Sequence, residues 1–276
     1  MPHILISGPA GFGKTTMAYV IANTLAVPLI ATAGPILRKT GDLSGLLASV
    51  RGEAVLFVDE VHRLPSDVCE SLYEALEDNK LSMLRGYGAD ARAITQALPP
   101  IVFVGATDQP GNLPKALRDR FGFHAVMQPY TIEDLAEIAR RAFGRAGFPQ
   151  AAGEACVAVA ERSKGVPRLC IHLAERVADV AALGAVTLDV TLALSALAAF
   201  GIDQRGLDED DYRILRALVW TFSGRPVGIS ALAQCLDLDE STVREREGPL
   251  VRAGYLIRTR TGRLAMQKAH DLIGAP

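Results

Sequence analysis

The stretch from Ile4 to Thr16, ILISGPAGFGKTT, constrains this chain more than any other. A short apolar run stops at a glycine-rich turn, and a lysine and two threonines follow before helical spacing sets in. Gly8, Gly11 and Gly13 let the backbone turn tightly and bring its N–H groups close to phosphate oxygens. The helix that starts near Gly13 aims the positive end of its dipole at the same anion. Gly8-x4-Gly13-Lys14-Thr15 is the phosphate-binding loop pattern. In that chemistry Lys14 reaches the β- and γ-phosphates of ATP and Thr15, with Thr16 beside it, holds Mg2+. A strand feeding such a loop and a helix leaving it imply an α/β nucleotide-binding fold.

A second stretch, AVLFVDEVHRL, supports that reading. Ala54 to Val58 is a continuous apolar run with β-branched Val55 and Val58, as a parallel strand covered on both faces requires. It ends in Asp59 and Glu60. Ligands of open parallel sheets sit at the carboxyl ends of strands. Asp59 is therefore expected to contact the metal, and Glu60 to act as the base that polarises the attacking water. Further strands are expected near residues 3–7, 27–31, 101–104 and 123–127, alternating with helices near 13–25, 39–50, 66–79 and 114–120. Residues 80–98 alternate and carry glycines, which predicts a β-hairpin bent at Gly86 to Gly88. The strand ending near Val104 leads to Thr107 and Asp108, where a polar side chain can meet the γ-phosphate.

Composition narrows the class. The 276 residues are 49% hydrophobic and 22% charged, enough for a core and for more than one domain. The net charge of −2 gives no bulk argument for nucleic acid, so any basic surface must be local. Cys69, Cys156, Cys170 and Cys235 lie far apart with no CxxC pair. They read as buried thiols of a reducing, cytoplasmic protein rather than a disulfide or zinc framework. The most apolar later segment, 177–200, is broken by Asp179 and Asp189 and does not suit a membrane span.

From Thr131 to about Ala199 the pattern is helical throughout, with Thr131 and Asp134 placed as a capping pair. Within it, Pro167 at a helix start sets Arg168 in the first turn, where the dipole disfavours a cation unless an anion lies nearby. GLDEDD, residues 206–211, reads as an acidic linker. Beyond it, three helices and a terminal hairpin outline a winged helix. Arg258, Arg260 and Arg263 crowd the hairpin, and no acid falls between residues 248 and 270, so a basic wing suited to DNA phosphates is expected.

GPAGFGKTTMA, KTGDLSGLLASV and LFVDEVHRL are followed by LYEALEDNKLSMLRGYGADARAI and LPPIVFVGAT. Then come LRDRFG, YTIEDLAEI, RSKGVPR, GLDEDDYRILRAL, RPVGISALA and EGPLVRAGYLIRTRTGR. With these motifs in this order, the chain resembles the RuvB family, the Holliday-junction branch-migration motors among the AAA+ ATPases, over nearly its whole length. The resemblance implies a large α/β ATPase domain (1–128) with a five-stranded parallel sheet. It also implies a small helical lid (129–205) and a C-terminal winged helix (206–276). It implies an ATP- and Mg2+-dependent hexameric ring around double-stranded DNA, acting at a four-way junction with a junction-binding partner. In that scheme Arg120 resembles the arginine finger acting on a neighbouring subunit's ATP, and Arg168 the second sensor. Asp108 aligns with the first sensor, where the family has threonine, and Thr107 is the alternative. Hairpin 81–98 resembles the contact for the partner, and Arg258, Arg260 and Arg263 the DNA-facing wing. The family also has a segment ahead of the first strand that helps enclose the adenine, while this chain begins close to that strand. Asp108 and that difference leave a second reading, a DNA-binding regulatory protein with weak or no ATP hydrolysis.

Overall fold

A computed structural model describes residues 1–85 and 92–274. The chain divides after Gln128 into two compact units. The first opens with β1 (Ile4–Ser7), α1 (Lys14–Leu25), β2 (Leu29–Ala33), α2 (Thr40–Ala48) and β3 (Ala54–Asp59). It continues through α3 (Ser66–Asp78), a hairpin of β4 (Lys80–Arg85) and β5 (Arg92–Ala97), β6 (Ile101–Thr107), the short α4 (Lys115–Arg118) and β7 (Phe123–Val126). Five strands form one sheet in the order β2-β3-β6-β1-β7, with every pairing parallel. The central strands are apolar on both faces: Val55, Leu56, Phe57, Phe103 and Val104 are buried, as a sheet covered on two sides demands.

The antiparallel hairpin leaves this sheet, and its base is pinned by Leu81 and Leu98 in the core beneath α2 and α3. Its expected bend at Gly86 to Gly88 lies outside the described residues. The second strand runs two residues later than the sequence pattern indicated. Val27 belongs to the turn after α1, where its N–H donates to the Ala22 carbonyl. Helix α3 is preceded by Pro65 rather than capped by Ser66 or Asp67.

The second unit holds two apolar cores. Helices α5 (Ile132–Arg145), α6 (Gly153–Glu161), α7 (Pro167–Gly184) and α8 (Val190–Ala199) enclose one, around Phe143, Val159, Cys170 and Leu197. Helix α9 (Glu209–Arg216) leads into a π-helical turn, Ala217–Thr221. The turn is followed by α10 (Ile229–Leu236), α11 (Glu240–Arg252), the hairpin β8 (Leu256–Thr259) and β9 (Gly262–Ala265), and α12 (Gln267–Ile273). These surround Leu215, Leu232, Val243 and Leu250. Gly262 is held by the approach of Val227: a Cβ there would lie 2.3 Å from the Val227 oxygen. Val227 and Arg263 exchange two backbone hydrogen bonds that add a short third strand to the hairpin.

Two expectations are corrected here. GLDEDD is no linker. Asp208 and Asp211 cap α9 reciprocally, each carboxylate accepting the other's N–H, and Asp211 is buried. The free thiols are not all buried either: Cys69, Cys156 and Cys170 are, whereas Cys235 is exposed on α10. Among the described residues no helix is long and apolar enough to cross a membrane.

Candidate functional site

The glycine-rich loop is built by backbone constraints that only glycine meets. Gly8 leaves β1 at φ 153°, and a Cβ on it would sit 2.7 Å from the Cβ of Met127. Its N–H donates to the Thr107 carbonyl at 3.1 Å, which ties the loop to the neighbouring strand β6. Gly11 and Gly13 have φ of 80° and 86°, and Gly13 is the residue that opens α1. Phe12 between them is fully buried and anchors the loop. Such alternation turns successive N–H groups to one side, beside the start of a twelve-residue helix. Lys14 folds back over this concavity, its ammonium donating to the carbonyls of Gly8 (2.8 Å) and Pro9 (2.9 Å). Thr15 and Thr16 follow on the exposed first turn of α1.

Asp59 ends β3, and β3 and β1 both flank β6. The carboxylate and the loop therefore stand two strand spacings apart, about 10 Å, at the same edge of the sheet. Asp59 accepts the N–H of Glu60 at 2.9 Å. Glu60 takes the left-handed conformation, φ 49°, an unfavourable one for a non-glycine residue. Gly34, at the end of β2, makes room for it: a Cβ there would meet the Glu60 carbonyl oxygen at 2.5 Å. The half-exposed Glu60 carboxylate is paired with Arg63 at 2.8 Å.

Between these groups lies the end of β6. Thr107 is fully buried. Its hydroxyl accepts the N–H of Gln109 (2.9 Å) and lies 2.9 Å from His62 Nδ1. Asp108 is the exposed neighbour, 3.8 Å from the same nitrogen. His62 was not singled out from the sequence. It is a nearly buried imidazole that joins the Asp59–Glu60 turn to the β6 terminus, and its only sequence signal is its place two residues beyond Glu60.

Arg120 follows α4. Its guanidinium donates to the Ala116 carbonyl (2.7 Å), pairs with Glu77 (2.9 Å) and lies 4.4 Å from the centre of the Tyr73 ring. Its Nε is buried without a hydrogen-bond partner among the described residues. Here the arginine is clasped by α3 of its own unit. In the second unit, Pro167 is the first residue of α7 and Arg168 follows it, exposed and without an ion pair among the described residues.

The three wing arginines are not alike. Arg260 sits in the turn between β8 and β9 and is exposed. Arg258 is half exposed and reaches Glu247 at 2.9 Å. Arg263, expected to face DNA with the other two, is turned into the domain. It holds the buried Glu247 through two hydrogen bonds of 2.7 and 3.1 Å, and these raise its pKa. The acid that balances the wing comes from α11, just before the acid-free segment read from the sequence.

Comparison with known proteins adds to this geometry. Residues 1–127 match the model of the Holliday junction DNA helicase RuvB P-loop domain, and residues 204–274 that of the RuvB C-terminal winged helix domain. The chain is 38% identical over 276 residues to the Holliday junction branch migration complex subunit RuvB of Thermosipho melanesiensis, covering 99% of this chain and 88% of that one. The corresponding subunit of Oenococcus oeni is 41% identical over 278 residues, covering 100% and 82%. Among solved structures, the Thermotoga maritima RuvB Holliday junction branch migration motor superposes with a TM-score of 0.86 at 36% identity, over 100% of this chain and 89% of that one.

Proposed function

This chain belongs to the RuvB family, and on that premise we propose that it is an ATP-driven motor that moves Holliday junctions along DNA. The observation that carries the proposal is the shared sheet edge. The glycine loop at the head of α1 and the Asp59–Glu60 turn flank the β6 terminus, which is the arrangement phosphoryl transfer to water requires.

In this reading the loop N–H groups and the dipole of α1 receive the phosphates of ATP. Lys14 exchanges its two loop carbonyls for phosphate oxygens. A hydroxyl and a carboxylate, Thr15 and Asp59, form a hard-oxygen pair suited to Mg2+, which keeps most of its other positions for water and phosphate. Bound there, Mg2+ would neutralise developing charge on the phosphates. Glu60 orients the attacking water and takes its proton, after exchanging its pairing with Arg63. Thr107, fixed by His62 and Gln109, presents the β6 terminus to the γ-phosphate, with Asp108 at its exposed side. Arg168 takes the second-sensor role that its place in the family motif implies. Arg120, released from Glu77 and Tyr73, serves the ATP of a neighbouring subunit in a hexameric ring, so hydrolysis depends on assembly. Arg258 and Arg260 contact duplex phosphates, and hairpin 81–98 receives the junction-binding partner.

The test is ATPase activity with and without duplex DNA across a range of protein concentrations. The proposal expects turnover per subunit to rise with concentration and with DNA. Arg120→Ala should bind ATP normally yet lose about a thousandfold in turnover. Near-normal hydrolysis by that variant would remove the finger assignment, and neither turnover nor nucleotide binding by the unaltered chain would favour a regulatory role.

A further inference from the structure

The second unit contains an ionic line that neither the nucleotide site nor the DNA contact explains. It begins in the turn between α6 and α7, just ahead of Arg168 in the first turn of α7. There Lys164 adopts φ 52° and Gly165 φ 75°, the first an unfavourable conformation for a residue with a side chain. Its ammonium pairs with Asp211, whose side chain is only 1% exposed. Burial raises the pKa of the Asp211 carboxyl and Lys164 opposes that rise.

Asp211 belongs to the capping box of α9, so its partner Asp208 is drawn into the same cluster. Arg246 of α11 closes it from the other side. Arg246 donates twice to Asp208 (2.7 and 2.8 Å), pairs with Asp210 at 2.9 Å, and stands 3.6 Å from the Asp211 oxygen that has no hydrogen bond. The next residue of α11 is Glu247, whose carboxylate holds Arg258 and Arg263 of the wing. The backbone reinforces this path. Gly206 lies so close to the α6–α7 turn that a Cβ on it would meet the Arg162 oxygen at 2.5 Å. The segment leading into α9 and the start of the α6–α7 turn are thus in direct contact.

We propose that Lys164, Asp211, Arg246 and Glu247 act as positioning residues that carry the state of the Arg168 turn to the DNA-facing wing. The proposal rests on the reading of Arg168 as a nucleotide sensor. A buried ion pair is a poor stabiliser, since burying both charges costs about as much as their attraction returns. It is, however, directional and discrete, and losing one partner strands the other. Rotation of the α7 N-terminus changes the Lys164–Asp211 contact. The cap of α9 then exchanges hydrogen bonds with Arg246, and α11 shifts the two arginines that Glu247 grips.

The test uses the full chain and three readouts: basal ATPase, duplex binding, and the rate of four-way junction dissociation per ATP hydrolysed. Lys164→Gln should keep basal ATPase and duplex binding within about twofold while junction movement per ATP falls about tenfold, the size of a typical coupling between sites. Lys164→Arg, which restores the pair with Asp211, should recover most of the loss. Lys164→Gln combined with Arg246→Gln should lose no more than the worse single variant, because both interrupt one line. Unchanged junction movement in Lys164→Gln would overturn the proposal, as would additive losses in the double variant. If basal ATPase and thermal stability fall together with junction movement, the cluster is a structural pin and the proposal also fails. Loss of basal ATPase and nucleotide binding in the unaltered chain would instead remove the underlying ATPase reading.

Discussion

The nucleotide edge of the first unit and the wing of the second do similar work, since both must meet phosphate, but they are built differently. The first is made mostly of backbone. Gly8 faces Met127, Gly13 opens α1, and Gly34 clears space for the Glu60 carbonyl, so the groups aimed at the ligand are N–H donors and strand ends. The wing is made of side chains, with one buried carboxylate, Glu247, shared by Arg258 and Arg263 and with Arg260 exposed at the turn. A backbone cradle tolerates little substitution, because a Cβ at Gly8 or Gly34 would clash and Gly11 and Gly13 sit at positive φ. A side-chain network can redistribute its charges, and only the member facing solvent is free for a ligand.

The sharpest way to break the comparison is chemical. Glu60→Gln keeps the shape of the first site and removes only its base. Its ATPase should drop about a hundredfold or more while ATP binding persists, as measured by turnover and by nucleotide titration. Retained turnover would mean that the strained Glu60 conformation serves packing alone.

In the second unit, Glu247→Ala should cost about 3 kcal/mol in denaturant unfolding, because it strands the mostly buried Arg263. A loss below about 1 kcal/mol would show that the network is a solvent-screened surface feature. The smallest effect separates the arginines. Arg260→Ala should weaken duplex binding modestly and lower the slope of log affinity against log salt by about one, as loss of a single phosphate contact does. Arg263→Ala should act mainly on stability and leave that slope nearly unchanged. Equal slopes for the two variants would put Arg263 on the DNA and contradict its inward placement.

The two regions also differ in how far they can be read from sequence. The loop, the Asp59–Glu60 strand end and the proline-led start of α7 are local patterns, each a few residues long with its physical reason contained in it. The parallel sheet follows from continuous apolar runs such as residues 54–58. Hidden relationships are those between distant residues. His62 meets Thr107 across 45 positions, and Lys164 meets Asp211 across 47. GLDEDD looks like a solvated linker because acidic runs usually are. Its burial depends on Lys164 and Arg246, which lie far from it in the chain. The acid-free span after residue 248 suggested a free basic wing, yet its counter-charge, Glu247, stands one residue outside that window. Helix α12 is short and follows a strand directly, so no periodicity announced it.

The central claim is that ATP turnover at the glycine loop drives movement of a four-way junction. The most direct measurement is dissociation of a synthetic four-way junction with ATP, comparing the unaltered chain with Lys14→Ala at equal DNA occupancy. The account predicts ATP-dependent conversion to duplex products by the unaltered chain and at least a hundredfold slower conversion, about background, by the variant. Junction movement that proceeds equally in Lys14→Ala, or that needs no ATP, would contradict it.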